Sequence, residues 1–336
     1  MTVEHLSPSG VGEALRAGLL RLLIRAFMKP VFSPRVSIAF QRRWIERLSR
    51  RAKMPAGVTV EPGSVAGMAG LWSRPEQATS TATLLYLHGG AYCMGSPATH
   101  RSLTARLAQA SGMAVFSLDY PLAPEHPFPA GIDSAVAAFL ALSAQGPVAI
   151  GGDSAGGGLS LATALALREG GHTMPTALLL LSPWVDLRID LAVATPPGEI
   201  MLSVPWGAAC AAHYLRDTPP AHPWASPLLA NLHGLPRCLI QLGTDELLHD
   251  QALQMHDALR AADVDVHCEV MAQRWHVYPL HGGLLRTSDE AIARAGRFLA
   301  AAVAPPSLTS VAPHPARRHG LQQRAVEDTD DASRAG

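Results

Sequence analysis

Cysteine is scarce in this chain, and its spacing speaks against the common metal and redox motifs. The 336 residues contain four cysteines, and no two of them form a C-x-x-C pair. Cys238 and Cys268 fall within predicted core strands. This placement favours buried, reduced thiols over disulfides or metal ligands. We therefore expect no metal site, and zinc in particular is not indicated.

The chain also lacks an excess of charge of either sign. Its 27 lysines and arginines balance 27 acidic residues, so the formal net charge is zero. Domains that bind nucleic acids usually carry a basic excess. The composition therefore suggests no nucleic-acid partner.

A long uninterrupted apolar run is missing as well. The strongest candidate, residues 19–25, is broken by Arg21 and Arg25. A helix that spans a bilayer needs about 20 consecutive, mainly apolar residues. We therefore expect no stable membrane insertion. The segment has no clear signal-peptide cleavage pattern either, so a cytoplasmic location is the default expectation.

Internal repeats are absent, and the chain instead shows a regular alternation of short apolar strands and helices. The predicted strands cover 83–88, 113–118, 147–152, 176–182, 237–243 and 264–270, the predicted helices cover 99–111, 129–144, 155–169, 249–261 and 288–302, and a hairpin over 58–73 precedes them. This alternation predicts an α/β fold with a mostly parallel sheet and helices on both faces.

The most informative segment is Gly-Gly-Asp-Ser-Ala-Gly-Gly at 151–157. It follows the apolar stretch 147–150 and leads into a helix-forming run. A G-x-S-x-G turn between a strand and a helix is typical of a nucleophile elbow, which makes Ser154 the candidate nucleophile. Glycine-rich turns also cradle phosphates or serve as plain connectors, but this one lacks the G-K-[ST] ending of a phosphate-binding loop.

A second glycine-containing loop follows the predicted strand at 84–87. It reads His88-Gly89-Gly90-Ala91. Such a loop supplies backbone N–H groups to an oxyanion, together with the residue after the nucleophile. We predict Gly89, Gly90 and Ala155 as the donors. His88 precedes the donor glycines, so we expect its ring to orient the loop.

The remaining groups of a catalytic triad are expected in the order serine, acid, histidine. Asp245 ends the apolar strand at 238–242 and is the predicted acid, with Glu246 and Asp250 as alternatives. Glu246 is expected to point the other way from Asp245. His276 follows the last predicted core strand and is the predicted base.

Taken together, these motifs resemble those of the hormone-sensitive-lipase-like bacterial carboxylesterases of the α/β-hydrolase fold. The resemblance covers about residues 58–300, and it also includes these segments: Asp119-Tyr120-Pro121-Leu122-Ala123-Pro124-Glu125, Ser182-Pro183-Trp184, Gly243-Thr244-Asp245-Glu246 and Trp275-His276-Val277. Within the group, the chain looks most like the ε-lactone hydrolase and acetyl-ester hydrolase branch.

The resemblance implies a serine carboxylesterase that hydrolyses short-chain acyl esters through an acyl-enzyme intermediate, without a cofactor. Lactone or small-molecule acetyl-ester hydrolysis is the alternative within enzymes. A non-catalytic binding protein on the same fold is a further alternative, although such proteins typically lose the triad histidine. Asp153 and Glu125 are expected to brace loops, and a homodimer stays open.

Two segments lie outside the predicted catalytic domain of residues 56–303. Residues 1–55 are expected to form cap helices, with an insertion at about 186–230 completing the cap. Met201, Leu202, Trp206 and Tyr214 of the cap are candidates to line the substrate pocket, and plain packing of the cap explains each of them equally well. Tyr92 is a further candidate to contact the substrate.

The N-terminal helices also have another interpretation. Residues 1–53 carry eleven lysines and arginines against three acids. Basic amphipathic helices of this kind can lie on a membrane surface. Residues 304–336, rich in Pro, Arg and Asp, are predicted to be a disordered tail.

Overall fold

The computed structural model describes residues 3–192 and 194–303 of the chain. The predicted disordered tail lies outside these residues. Within them, no helix combines the length and apolar character that crossing a bilayer requires.

A single nine-stranded sheet forms the centre of the described structure. Its strands are β1 (Val3–Leu6), β2 (Val58–Val65), β3 (Met68–Pro75), β4 (Thr83–Leu87), β5 (Ala114–Leu118), β6 (Val148–Asp153), β7 (Leu178–Leu181), β8 (Cys238–Asp245) and β9 (Val266–Trp275). The order across the sheet is β1-β9-β8-β7-β6-β4-β5-β3-β2. Only the β2–β3 and β3–β5 pairs are antiparallel. The predicted hairpin and the predicted mostly parallel sheet are therefore confirmed.

Within residues 3–192 and 194–303, eight α-helices accompany the sheet. They are α1 (Val11–Phe27), α2 (Ile38–Ser49), α3 (Pro97–Ser111), α4 (Ala130–Ser143), α5 (Ala155–Glu169), α6 (Val204–Leu215), α7 (His249–Ala261) and α8 (Arg286–Val303). Along β4, Leu84 and Tyr86 belong to one apolar cluster, whereas Leu85 and Leu87 belong to another. Successive residues of a strand point to opposite faces, so both faces of the sheet are covered.

The N-terminal residues contribute to the sheet as well as to helices. Strand β1 pairs in parallel with β9 at the sheet edge, with Val3 opposite Cys268. This strand was not predicted, because its four residues, with the exposed Glu4 and His5 between Val3 and Leu6, are too few to show an apolar alternation. The prediction of cap helices over residues 1–55 is therefore wrong for residues 3–6, which form a strand. The rest of the domain division stays a prediction.

Helices α1 and α2 pack against the segment that precedes and includes α6. The ring of Phe32 stacks on Trp206 with centroids 4.8 Å apart. Gln41 accepts a hydrogen bond from the Trp206 indole at 2.9 Å. On α1, Ala17 and Ile24 pack with Ile200 near the end of β9. The two segments predicted to form a cap therefore contact one another.

All four cysteines are free and buried, as predicted.

Candidate active site

Ser154 occupies the sharp turn between β6 and α5. Its backbone has φ 53° and ψ −121°, a conformation with positive φ that costs energy for a residue with a side chain. A Cβ added at Gly156 would lie 1.9 Å from the Leu87 carbonyl oxygen, so only glycine fits where α5 passes this close to β4. The turn therefore has the geometry of a nucleophile elbow.

His276 lies directly beyond β9 and contacts Ser154. Its Nε2 is 2.9 Å from the Ser154 hydroxyl oxygen, and both residues are buried. The next residue, Val277, donates its backbone N–H to the Ser182 hydroxyl at 3.0 Å. This contact ties the histidine loop to the segment after β7. The predicted pairing of Ser154 with His276 is thus present.

The carboxylate beside His276 belongs to Glu246 and not to Asp245. Glu246 Oε2 lies 3.2 Å from His276 Nδ1. Asp245 instead accepts a hydrogen bond from Arg21 at 2.7 Å and is partly exposed. The prediction of Asp245 as the acid is wrong. The prediction failed because it assumed regular alternation of side chains along β8. A register shift between Gly243 and Asp245 disturbs that alternation at the end of the strand.

The charges around His276 favour its protonated form. Burial alone would lower the pKa of the imidazole, but the hydrogen bond and the charge of Glu246 outweigh it. The charges of Glu199 and Asp153 act in the same direction, so the pKa of His276 is raised above 6.5. An imidazole in this setting can accept a proton from Ser154 and keep the resulting charge stabilised.

The oxyanion loop differs from the prediction in one donor. The N–H of Gly89 donates to Asp153 Oδ1 at 3.0 Å, so it is occupied and the prediction of Gly89 as an oxyanion donor is wrong. Within the described residues, the N–H groups of Gly90, Ala91 and Ala155 have no acceptor. Gly90 has φ 125°, and a Cβ there would lie 2.0 Å from the Met94 carbonyl oxygen. The loop therefore depends on this glycine.

Asp153 fixes the oxyanion loop and lies at the centre of a buried hydrogen-bond network. Besides Gly89, it accepts a hydrogen bond from Tyr86 at 2.8 Å and lies 3.3 Å from His100. Burial would raise the pKa of Asp153, but the charge and hydrogen bond of His100 lower it below its usual value. The expected bracing role of Asp153 fits these contacts.

His88 and Glu125 also occupy bracing positions. The His88 ring stacks on Tyr120 at 4.3 Å, and its Nδ1 lies 2.9 Å from the Gly89 carbonyl. Burial lowers the pKa of His88 to about 3, so the ring is neutral. Glu125 accepts two hydrogen bonds from Arg42, at 2.9 and 2.7 Å. Both residues therefore position the loops around the site, as expected.

A cavity of about 330 Å³ opens above Ser154. Ala91 lies in its wall beside the nucleophile. Its apolar wall is formed by Trp184, Ile189, Leu202, Val204, Trp206, Leu247 and Leu248. Its polar wall includes Asp186, Arg188, Asp190, Asp250, Gln251 and Gln254. An ester can thus enter this cavity and reach Ser154 beside apolar side chains.

Of the five predicted substrate contacts, Leu202 and Trp206 line this cavity. The rings of Tyr92 and Tyr214 stack on each other at 3.9 Å and are buried. Met201 packs among the apolar residues beneath α1. The interpretation of Tyr92, Tyr214 and Met201 as cavity-lining residues is wrong, because packing within the helical layer takes up their side chains.

Two charged residues for which the sequence predicted no role in the site hold the loop that carries Glu246. Glu199 is buried, and its Oε2 accepts the backbone N–H of Leu247 at 2.9 Å. Arg21 bonds to Asp245, to the Gly198 carbonyl at 3.1 Å and to the Gln273 carbonyl at 3.3 Å. No sequence signal identifies either residue, because each acts on a segment far away in the chain.

One set of potential metal ligands lies at the sheet edge. The ligand atoms of Glu4, His267 and Glu269 lie within 4.8 Å of one another. Arg294 donates to Glu269 at 2.8 Å and supplies a positive charge beside this group. The absence of a metal site stays a prediction.

Comparison with known proteins decides the family. The model of a family with the alpha/beta hydrolase fold matches residues 84–280, which is more than half of the chain. The chain belongs to this α/β-hydrolase family. The matched range includes Ser154, Glu246 and His276.

Similar proteins place this α/β-hydrolase among the esterases. An acetyl-hydrolase of Streptomyces hygroscopicus is 42% identical over 234 residues, which cover 68% of this chain and 78% of that protein. An esterase of Acinetobacter venetianus is 34% identical over 261 residues, covering 76% of this chain and 86% of its own.

Solved structures similar to this chain are also those of esterases. An esterase from the bacterial hormone-sensitive lipase family has a TM-score of 0.79 and 35% identity, and the match covers 88% of this chain and 100% of that one. An esterase/lipase from an uncultured bacterium has a TM-score of 0.81 and 34% identity with the same coverage. The α/β-hydrolase is therefore a carboxylesterase of the hormone-sensitive-lipase-like group.

Proposed function

We propose that this carboxylesterase removes short acyl groups from small esters through a covalent intermediate on Ser154. The observation that carries the proposal is the hydrogen-bonded row of Ser154, His276 and Glu246, which opens on a small cavity. The acetyl-hydrolase among the similar proteins supports a small acyl group. A cytoplasmic location and a homodimer stay predictions.

The proposed chemistry follows from the position of each group. His276 Nε2 accepts the hydroxyl proton as Ser154 Oγ attacks the ester carbonyl carbon, and Glu246 orients the imidazole and stabilises its positive charge. The oxyanion accepts hydrogen bonds from the N–H groups of Gly90, Ala91 and Ala155. His276 then protonates the leaving alkoxide. In the second half, water attacks the acyl group with His276 as base, and Ser154 is released.

The small size of the cavity favours substrates with short acyl groups. At about 330 Å³, the cavity lies near the lower end of the range of roughly 300–1,000 Å³ for small-molecule sites. The rings of Trp184 and Trp206 and the side chain of Leu202 close its apolar wall. A long acyl chain would have to displace these side chains or extend out of the mouth of the cavity into solvent.

An acyl-length series of p-nitrophenyl esters tests the proposal. We expect kcat/KM to peak between acetyl and hexanoyl esters, with no jump when the substrate forms an emulsion. Leu202→Ala should shift the peak to longer chains because it enlarges the cavity. Leu215→Ala is the matched control, since this leucine is buried in the same layer outside the cavity wall.

Three results would count against the proposal. They are a parent preference for long-chain triglycerides, a Leu202→Ala profile identical to the parent's, and failure of a fluorophosphonate probe to label Ser154. The last result would instead favour a binding protein without turnover. A panel of medium-ring lactones, run beside the esters, measures the alternative of lactone hydrolysis.

A further inference from the structure

Helix α1 carries large apolar side chains on the side that faces away from the protein. Ten large apolar residues are exposed in the described chain, and seven of them lie on α1 and α2. We call these seven the outer apolar face: Val11, Leu15, Leu19, Leu22, Leu23, Phe27 and Phe40. Leu15, for example, is 70% exposed. Such a concentration on one surface marks an interaction site.

The orientation of α1 keeps this face outward. Glu13, Ala17 and Ile24 are buried on the opposite side of the helix. Glu13 accepts a hydrogen bond from Arg274 at 2.8 Å, and Arg21 bonds to Asp245 at 2.7 Å. These two ion pairs, two turns apart, prevent the helix from rolling to bury its outer side.

Arginines border the apolar stripe of α1. With about 3.6 residues per turn, Val11, Leu15 and Leu22 fall within one narrow stripe along the helix. Arg25 falls on one side of this stripe, and Arg16 falls on the other side, between Leu23 and Phe27 near the far margin of the outer apolar face; both arginines are exposed. An apolar stripe with basic residues along its borders is the pattern of a helix that lies in a membrane interface.

Helix α2 extends the same surface. The Trp44 indole donates a hydrogen bond to the Phe27 carbonyl at 2.9 Å, which places α2 beside the end of α1. Phe40 stacks on Trp44 with centroids 5.9 Å apart. Arg43 and Arg47, one and two turns along α2, are exposed.

The charge of this surface decides between a bilayer and a second copy of the chain. Glu13 is the only acidic residue of α1, and it is buried against Arg274. On α2, the exposed Glu46 lies 3.7 Å from Arg50 at the end of the same helix. If two copies met through α1, Arg16 and Arg25 would find no carboxylate on that helix to pair them. Anionic lipid headgroups supply the missing negative charge.

We propose that the outer apolar face binds the surface of an anionic phospholipid bilayer, with Arg16, Arg25, Arg43 and Arg47 contacting lipid phosphates. The apolar side chains enter the boundary between headgroups and acyl chains, and α1 lies in the plane of the interface. The buried side of α1 stays attached to the enzyme. This binding is peripheral and independent of ester hydrolysis.

Co-sedimentation of the full chain with vesicles tests the proposal. We expect binding to vesicles of phosphatidylcholine with phosphatidylglycerol, weak binding to phosphatidylcholine alone, and loss of binding at high salt. The triple variant Leu15→Ser, Leu19→Ser, Leu22→Ser should reduce binding on the order of 100-fold. The double variant Arg16→Gln, Arg25→Gln should reduce it by about 30-fold.

Matched controls separate this surface from general effects of exposed residues. Leu229→Ser with Leu284→Ser removes exposed leucines elsewhere, and Arg260→Gln with Arg297→Gln removes exposed arginines from other helices. Both double variants should bind vesicles like the parent. All variants should hydrolyse a soluble acetyl ester at the parent rate, which shows that they are folded.

Three outcomes would overturn the proposal. The first is a parent protein that does not bind the mixed vesicles, and the second is a triple leucine variant that binds them as well as the parent does. The third is self-association, measured by light scattering, that the leucine variant abolishes while vesicles remain unbound. In that case the face joins two copies of the chain.

Discussion

The choice between two neighbouring carboxylates gives the sharpest test of this site. Glu246 lies 3.2 Å from His276 Nδ1, whereas Asp245 pairs with Arg21. In Glu246→Gln a neutral amide replaces the charge that stabilises the imidazolium. In a serine hydrolase triad, the comparable change of acid to amide costs about 10⁴-fold in kcat. This loss corresponds to about 5 kcal/mol of transition-state stabilisation.

Asp245→Asn is the matched control for this change. It removes a partly exposed ion pair, which typically contributes about 0–1 kcal/mol, so the expected loss is no more than about fivefold. Asp250→Asn should also have a small effect, because Asp250 contacts His249 on the surface of α7. Initial rates with p-nitrophenyl acetate, taken beside circular dichroism spectra, give the comparison. If Asp245→Asn loses more activity than Glu246→Gln with both variants folded, the assignment of the acid is refuted.

The remaining predictions concern the base, the nucleophile and a buried ion pair. Because the pKa of His276 is raised above 6.5, kcat/KM should fall as the pH drops through a midpoint above 6.5. The variant Glu246→Gln should lower that midpoint. A pH-rate profile that stays flat down to pH 5 would contradict a histidine base. Ser154→Ala should reduce kcat by roughly 10⁶-fold while the circular dichroism spectrum is unchanged, and more than a thousandth of the parent rate would speak against the nucleophile. Hydrogen bonds from Thr287 and Arg274 outweigh burial and lower the pKa of Glu13 to about 2 from 4.5. Its ionised form therefore stabilises the fold above pH 4.5, so Glu13→Gln should cost about 3 kcal/mol at pH 7 in denaturant unfolding, and the difference should shrink as the pH falls towards 2.

Local sequence patterns were sufficient to predict those features whose residues are contiguous in the chain. The turn at Ser154 needs a strand, small residues and a helix in immediate succession, so its composition identifies it without knowledge of the rest of the fold. The same holds for the alternation of strands and helices and for the place of His276 after β9. These features depend on neighbours in the chain, and the neighbours are visible in the sequence.

Contacts between distant segments were decided only by the tertiary structure. The irregular end of β8 determines that Glu246 and not Asp245 reaches His276, and strand alternation alone pointed to the wrong residue. The Gly89 N–H donates to Asp153, a residue 64 positions later. Glu13 and Arg21 fix which side of α1 faces the enzyme, and so leave Leu15 and Leu22 outside. Side-chain direction at such points depends on backbone irregularities and on long-range partners, which residue spacing does not encode.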